Sequence, residues 1–252
     1  MFKSPALITF ITAGDPNIKA TLKFLLALDE YADVIELGIP FSDPMADGRT
    51  IQKANYRALK AGTKVSDVFK VIKEFREYSD TPIVLMTYYN PVYRRSIERF
   101  IKEAKDSGIN GMIVVDLPLE EANEYLSICE RYDIGTIFLA APNTPIDRLR
   151  MIDEASSAFV YLISLYGTTG ARDKISQLAF DLLKKAKAVC KKPLAVGFGV
   201  SKAEHVKELI KAGADGVVVG SALVEIIEKY GENAEDMLKE KVRELKSGCK
   251  VE

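Results

Sequence analysis

Short apolar runs recur along the chain and are separated by amphipathic stretches. The runs lack polar alternation, which is typical of parallel strands that are buried on both faces. The stretches between them have the periodicity of surface helices. Eight strands are predicted in this way, at residues 6–12, 34–37, 83–88, 111–115, 136–140, 159–163, 194–197 and 216–219.

Eight alternating strand and helix units within 252 residues favour an α/β fold with one closed (β/α)8 barrel, a TIM barrel. Barrels of this class typically have about 250 residues, so we expect a single domain over residues 1–252. The alternative is an open, doubly wound sheet. It is less favoured because residues 12–16, after the first strand, lack the glycine fingerprint of dinucleotide-binding sheets.

The charge balance and the cysteines narrow the class of protein. The chain has 35 Lys and Arg against 36 Asp and Glu, with both signs interspersed, so no nucleic-acid surface is indicated. Three cysteines without metal-like spacing argue against a disulfide framework and favour a reducing cytoplasm. We expect no secretory signal and no membrane span, because the first strand begins within a few residues and no apolar run is long enough.

The most informative segment is residues 36–48, which sets acidic side chains around a loop that leaves an apolar strand. Glu36 would face a barrel lumen, where a desolvated carboxyl group has a raised pKa and exchanges protons near neutral pH. Asp47 follows on a loop that can place a second carboxylate over a substrate. The structural alternative is an ion pair for Glu36 and turn roles for Asp43 and Asp47.

Glycine-rich segments follow the last three predicted strands, at residues 167–170, 197–199 and 220–221. Because loops after the seventh and eighth strands form the usual anion site of TIM barrels, they predict a phosphate site. Ser221 is predicted to cap a helix with its hydroxyl group, leaving backbone N–H groups for phosphate oxygens. The alternative is that these glycines only form tight turns.

Several chemistries are disfavoured by what the strand ends lack. No lysine stands within or just after a strand, which argues against a Schiff-base aldolase. The sole histidine, His205, falls in a predicted helix, so neither a histidine metal site nor a Ser-His-Asp triad can be assembled. An all-carboxylate magnesium site from Asp43, Asp47 and Asp116 is the remaining metal alternative; we predict no metal.

The chemistry that these absences leave is proton transfer by a pair of carboxyl groups on a phosphorylated substrate. Four aromatic residues near strand ends are available to line an apolar pocket, although such residues are usually core. They are Phe10, Tyr88, Tyr161 and Phe198.

Residues 36–48, together with the motifs at 14–16, 167–171, 197–199 and 220–222, resemble the tryptophan synthase alpha chain family from about residue 7 to residue 227. The resemblance implies retro-aldol cleavage of indole-3-glycerol phosphate to indole and glyceraldehyde 3-phosphate in L-tryptophan biosynthesis. It implies no cofactor in this chain. It also implies a pyridoxal-phosphate beta chain as partner, in an alpha2beta2 complex, to which indole passes.

The resemblance also assigns site residues. Glu36 would move protons and Asp47 would hydrogen-bond the indole N–H, with Thr169 on a loop that closes over the site and orients Asp47. Asp43 and Pro44 would face the beta chain. The substrate-binding residues would be Phe10, Tyr88, Tyr161, Thr169 and Phe198, and the phosphate-binding residues Gly170, Gly199, Gly220 and Ser221.

Two features depart from the family pattern. Arg49 stands where many members carry proline, so the loop that holds Asp47 is expected to be more mobile or differently closed. The chain also starts almost at its first strand, without the N-terminal helix of longer members, which leaves the cover of the barrel bottom open.

Two alternative functions stay open: another phosphate-binding barrel enzyme, such as an isomerase or cyclase, and a non-catalytic activator of a beta chain.

Overall fold

The computed structural model describes residues 1–163 and 175–250. Eight parallel strands pair in chain order and close into a barrel, since the first strand also pairs with the last. The predicted TIM barrel is confirmed, and each predicted strand lies within one residue of the observed ends. The strands are β1 (Ala6–Thr12), β2 (Val34–Gly38), β3 (Ile83–Thr87), β4 (Gly111–Val114), β5 (Gly135–Ala140), β6 (Phe159–Ile163), β7 (Leu194–Gly197) and β8 (Gly216–Val219).

Helices alternate with the strands and cover the outside of the barrel. Their apolar side chains recur at helical spacing and pack against outward-facing strand residues in one large core. No helix in the two described ranges combines the length and apolar character that a bilayer span requires. The helices are α1 (Ile18–Asp29), α2 (Arg49–Lys60), α3 (Val65–Phe75), α4 (Tyr89–Arg94), α5 (Ile97–Ser107), α6 (Asn123–Arg131), α7 (Ile146–Ala155), α8 (Gln177–Lys187), α9 (Ala203–Lys211), α10 (Ser221–Tyr230) and α11 (Glu235–Ser247).

A second, smaller core fills the barrel lumen. Because side chains alternate along a strand, every second residue of each strand points inward. The lumen is therefore a packed core toward its amino end, as expected of this fold. Its buried members are Ile8, Val34, Val84, Ile113, Ile137, Phe159, Ala195 and Val218.

The first two residues close the amino end of the barrel, which the sequence left open. The Phe2 ring lies 5.5 Å from the Phe159 ring, between centroids. Glycines at the strand starts provide the space, because a Cβ atom on Gly111 would lie 2.6 Å from Met1 Cε and one on Gly216 3.3 Å from the Phe2 ring. Side chains of the chain start thus cover the barrel bottom.

Hydrogen bonds tie the strands together at the same end. In each odd-numbered strand, a backbone N–H group near the strand start donates a hydrogen bond to the side chain of a residue just before the next strand. These N–H groups therefore have partners at the amino end of the barrel. A closed amino end leaves the carboxyl end of the barrel for a ligand. The pairs are Leu7 N with Asp33 (2.6 Å), Ile83 N with Asn110 (2.9 Å), Thr136 N with Ser157 (2.9 Å) and Leu194 N with Asp215 (2.9 Å).

Candidate active site

Glu36 lies inside the barrel, as predicted. It is the third residue of β2, only 2% exposed, and its neighbours in register are Phe10 on β1 and Val84 on β3. Burial raises the pKa of the Glu36 carboxyl group to about 8, and the negative charge of Asp47 acts in the same direction. At neutral pH, Glu36 is therefore mainly protonated and can act as an acid.

Asp47 lies on the loop between β2 and α2 and is partly buried. The Tyr88 hydroxyl group donates to Asp47 Oδ2 at 3.1 Å and accepts from the backbone N–H of Ala46 at 3.0 Å. Burial raises the pKa of Asp47 to about 6, while the Tyr88 hydrogen bond lowers it. Asp47 is therefore mainly ionised at neutral pH, in contrast to Glu36. Tyr88 holds both the side chain and the backbone of the loop.

The structure reveals two further anchors of this loop. The buried Asn55 side chain accepts from the backbone N–H of Phe41 at 2.8 Å and donates to the Ile51 carbonyl oxygen at 2.9 Å. The Phe41 ring also stacks on Tyr88, with centroids 4.9 Å apart and planes at 23°. Sequence reasoning missed Asn55. One signal was available in the sequence: Asn55 lies on the same helix face as the apolar residues Ile51 and Ala58, and a polar side chain on a buried face needs a hydrogen-bond partner.

Arg49 is the first residue of α2 and is exposed, and Gly48 precedes it as the N-cap. The first helical position favours proline because its missing N–H has no partner in a helix. Arginine fits the same position without breaking the contacts of Tyr88 and Asn55. The expected effect of Arg49 on loop mobility stays a prediction.

Two of the predicted aromatic residues line the lumen against glycine backbone. Phe10 lies between Gly38 and Gly220, where added Cβ atoms would come within 2.9 Å and 3.2 Å of it. Tyr161 covers Gly197 in the same way, at 2.8 Å. These two glycine positions, Gly197 and Gly220, therefore make room for aromatic rings in addition to any contact with phosphate. The rings form apolar walls beside Glu36.

Phe198 is placed differently. It is buried and packs with the outer core between the barrel and its helices, rather than with the lumen cluster. Its predicted contact with substrate stays a prediction. The next residue, Gly199, has φ +69°, in the left-handed region that favours glycine, so it turns the chain between β7 and α9.

The start of α10 differs from the prediction in one detail. Gly220 is the N-cap, and Ser221 is the first helical residue with no side-chain capping bond, so the predicted hydroxyl cap is wrong. The reason is that β8 ends at Val219, leaving a single residue for the turn. The helix still begins directly at the barrel mouth, where its free N–H groups and dipole favour an anion. Thr169 and Gly170 lie outside the described residues.

Asp43 and Pro44 lie on the outer part of the Asp47 loop. Asp43 is exposed and accepts a hydrogen bond from the Ser42 hydroxyl group at 2.5 Å. The adjacent Met45 is 84% exposed, the highest value among the large apolar residues exposed in the described ranges. Both observations agree with an outward-facing loop tip, and neither identifies a partner.

Asp15 and His205 are structural. Asp15 is buried and makes two hydrogen bonds with Arg57 of α2, at 2.7 Å and 2.8 Å. Burial raises the pKa of Asp15, and the bonds with Arg57 lower it. His205 is buried on α9, and its Nδ1 atom accepts from the backbone N–H of Ser201 at 3.4 Å.

Within residues 1–163 and 175–250, no three His, Cys, Asp or Glu side chains gather into a possible metal site. Asp116, part of the magnesium alternative, instead accepts from the backbone N–H of Tyr89 at 2.6 Å. The alternative of an all-carboxylate magnesium site therefore has no support from the described residues.

A closed (β/α)8 barrel with two carboxyl groups of raised pKa toward its carboxyl end, together with a helix start suited to an anion, is typical of an enzyme of the TIM-barrel class. A family model for the tryptophan synthase alpha chain matches residues 2–250. The alpha chain of Pyrococcus abyssi is 63% identical over 245 residues, covering 97% of this chain and 99% of that protein. This chain belongs to the tryptophan synthase alpha chain family.

Further relatives agree with this assignment. The alpha chain of Methanococcus maripaludis is 57% identical over 246 residues, which cover 97% of this chain and 95% of that protein. The crystal structure of a tryptophan synthase complex from Pyrococcus furiosus contains a chain that is 57% identical and superposes with a TM-score of 0.93, covering 97% of this chain and 99% of that one.

The family defines the reaction. This chain is a carbon–carbon lyase that cleaves indole-3-glycerol phosphate to indole and glyceraldehyde 3-phosphate, the alpha reaction of tryptophan biosynthesis. Alpha chains carry no cofactor; pyridoxal phosphate is in the beta chain with which the family pairs.

Proposed function

We propose that Glu36 and Asp47 perform the alpha reaction as an acid–base pair with divided roles. The observation that carries this proposal is the separation of their pKa values, about 8 for Glu36 and about 6 for Asp47. Two carboxyl groups with pKa values pushed apart by their surroundings can hold opposite protonation states at one pH. At neutral pH the pair supplies one proton and one negative charge.

The protonated Glu36 donates its proton to C3 of the indole ring, which converts the ring to a cationic indolenine. The Asp47 carboxylate accepts a hydrogen bond from the ring N–H and stabilises the positive charge. The Glu36 carboxylate then removes the proton of the glycerol hydroxyl group next to the ring. The carbon–carbon bond breaks, its electron pair returns to the ring, and the aldehyde forms. Glu36 ends the cycle protonated, so no co-reactant is needed.

The proposed site places the rest of the substrate between the lumen and the mouth of the barrel. Phe10 and Tyr161 provide apolar walls for the indole ring, and Tyr88 orients Asp47 through its hydroxyl group. The phosphate group is proposed to lie at the start of α10, against Gly220 and Ser221, together with Gly199 and Gly170. Phe198 and the loop residue Thr169 complete the proposed substrate contacts.

We further propose that one barrel domain over residues 1–252 carries the reaction, in the cytoplasm and in an alpha2beta2 complex. The beta chain is proposed to contact the loop tip with Asp43 and Pro44. The exposed side chain of Met45 supports this placement, because a large apolar group on a protruding loop favours burial against a partner.

The test is indole formation from indole-3-glycerol phosphate by the purified chain, with and without a cognate beta chain. Glu36→Gln keeps the shape of the side chain and removes the exchangeable proton, and Asp47→Asn removes the negative charge. We expect each variant to lose cleavage while keeping its fold by circular dichroism. Full cleavage by either variant would show that the assigned role is wrong.

A further inference from the structure

Two buried hydroxyl groups on β1 have no hydrogen-bond partner within the described residues. They belong to Thr9 and Thr12, which are 0% and 1% exposed. A buried hydroxyl group without a partner destabilises a fold, so each one needs an explanation. The two side chains point to opposite faces of the strand, because their positions differ by an odd number of residues. Thr9 faces the surrounding helices, and Thr12 faces the mouth of the barrel, on the same side as Phe10.

Thr12 shares a small cavity with Asp47. The cavity has a volume of about 10 Å³, close to the space for one water molecule. Besides these two residues, its polar side chains are those of Asn55, Thr87 and Tyr88. A cavity that both side chains line allows a hydrogen bond between them once substrate is bound, directly or through one water molecule.

The other polar side chains of this cavity already have partners. Asn55 uses both its oxygen and its nitrogen, and Tyr88 both donates and accepts. Thr87 donates to the Tyr88 carbonyl oxygen at 3.2 Å. In the part of the chain that the structure describes, Asp47 receives a side-chain hydrogen bond from Tyr88 alone, although a carboxylate accepts several. Among the described residues, Thr12 is thus an unused donor on the same cavity as a carboxylate with unused acceptor capacity.

We propose that Thr12 is a positioning residue whose hydroxyl group donates to the Asp47 carboxylate in the substrate-bound site, directly or through one water molecule. The inference rests on the proposed role of Asp47. A second donor favours the ionised carboxylate and fixes its direction toward the indole N–H. Within residues 1–163 and 175–250, the titratable groups that act on Asp47 or feel its charge are Glu36, Tyr88 and Tyr161, none of which is a cation.

The test compares three variants in steady-state cleavage of indole-3-glycerol phosphate across pH. Thr12→Val removes the hydroxyl group at nearly constant volume, and Thr12→Ser restores it. Thr9→Val is the matched control, because it removes the other unpartnered hydroxyl group of the same strand, away from the site. Because each valine removes an unsatisfied polar group, we expect both valine variants to raise the melting temperature by roughly 2–4 °C.

For Thr12→Val we expect kcat/KM to fall roughly 10- to 100-fold, the range for loss of a hydrogen bond to a charged group. The acidic limb of its kcat profile, which reports the enzyme–substrate complex, should move to higher pH, because the Asp47 carboxylate loses a donor there. Thr12→Ser should recover most of the activity, and Thr9→Val should match the wild type. A merely structural role for Thr12 would leave the pH profile in place.

Several results would overturn the proposal. Thr12→Val with wild-type kcat/KM and an unchanged acidic limb of kcat would do so, and so would Thr9→Val with an equal loss of activity. Asp47→Asn separates the role of Thr12 from that of Asp47. If that variant is inactive while Thr12→Val is normal, only the role of Thr12 is wrong. If Asp47→Asn is fully active, the role of Asp47 fails and the role of Thr12 fails with it.

Discussion

Replacing Glu36 with glutamine should stabilise the folded chain, and the gain should grow with pH. The carboxyl group is buried in the lumen with a pKa of about 8, against 4.5 when it is exposed. Below pH 4.5 it is protonated in both the folded and the unfolded state. Between pH 4.5 and pH 8 the unfolded chain ionises and the folded chain does not, so the free energy of unfolding falls as the pH rises.

The size of the effect follows from these two pKa values. At pH 7 the solution lies 7 − 4.5 = 2.5 pH units above the pKa of the unfolded state and still below that of the folded state. Each pH unit corresponds to about 1.36 kcal/mol, so the wild type loses about 3 kcal/mol of stability between pH 4 and pH 7 from this group. Glutamine does not titrate. The difference in unfolding free energy between Glu36→Gln and wild type should therefore increase by about 3 kcal/mol over the same interval.

Urea unfolding followed by circular dichroism at several pH values between 4 and 8 measures this difference, provided that both proteins give the same m value. Glu208→Gln is the control, since it makes the same substitution on an exposed position of α9. A gain for Glu36→Gln that is equal at pH 4 and pH 7 would mean that burial does not hold Glu36 in its protonated form.

Three other perturbations test the catalytic pair, the support of Asp47 by Tyr88, and the buried ion pair of Asp15. The profile of kcat/KM against pH should be bell-shaped with limbs near 6 and 8, because Asp47 must be ionised and Glu36 protonated. Steady-state rates measured from pH 5 to pH 9 test this, and a rate that rises over the whole range would contradict it. Tyr88→Phe should lower kcat/KM at least about tenfold and move the acidic limb to higher pH, because Asp47 loses its hydrogen-bond donor. An acidic limb at the wild-type pH would exclude the orienting role of Tyr88. Arg57→Met should lower the unfolding free energy by about 3–5 kcal/mol, because it leaves Asp15 buried without its partner. Urea unfolding measures this loss, and the double variant that also carries Asp15→Asn should recover part of it.

The local sequence pattern predicted the barrel and the inward position of Glu36. Buried parallel strands are continuous apolar runs, and this signal depends only on neighbouring residues, so all eight strands were found within one residue of their ends. A charged residue inside such a run must point either to the lumen or to the helices. The family motif that contains both Glu36 and Asp47 can be recognised from the sequence alone, and it favours the lumen as the position of Glu36.

Contacts between distant segments were decided by the tertiary structure alone. The bond between Tyr88 and Asp47 joins the end of β3 to the loop between β2 and α2, and its existence depends on how that loop folds back over the barrel mouth. The anchoring of the Phe41 N–H by Asn55 depends on the same fold of the loop.

The unpartnered hydroxyl group of Thr12 shows the same division between local pattern and packing. In the sequence, Thr9 and Thr12 are two ordinary threonines of one apolar strand. Only the closed barrel shows that both are buried without partners among the described residues and that Thr12 lines the same cavity as Asp47. Periodicity along the chain determines which residues form strands and which faces are apolar. Which polar groups meet is determined by packing between elements that are far apart in sequence, and local pattern carries no information about those distances.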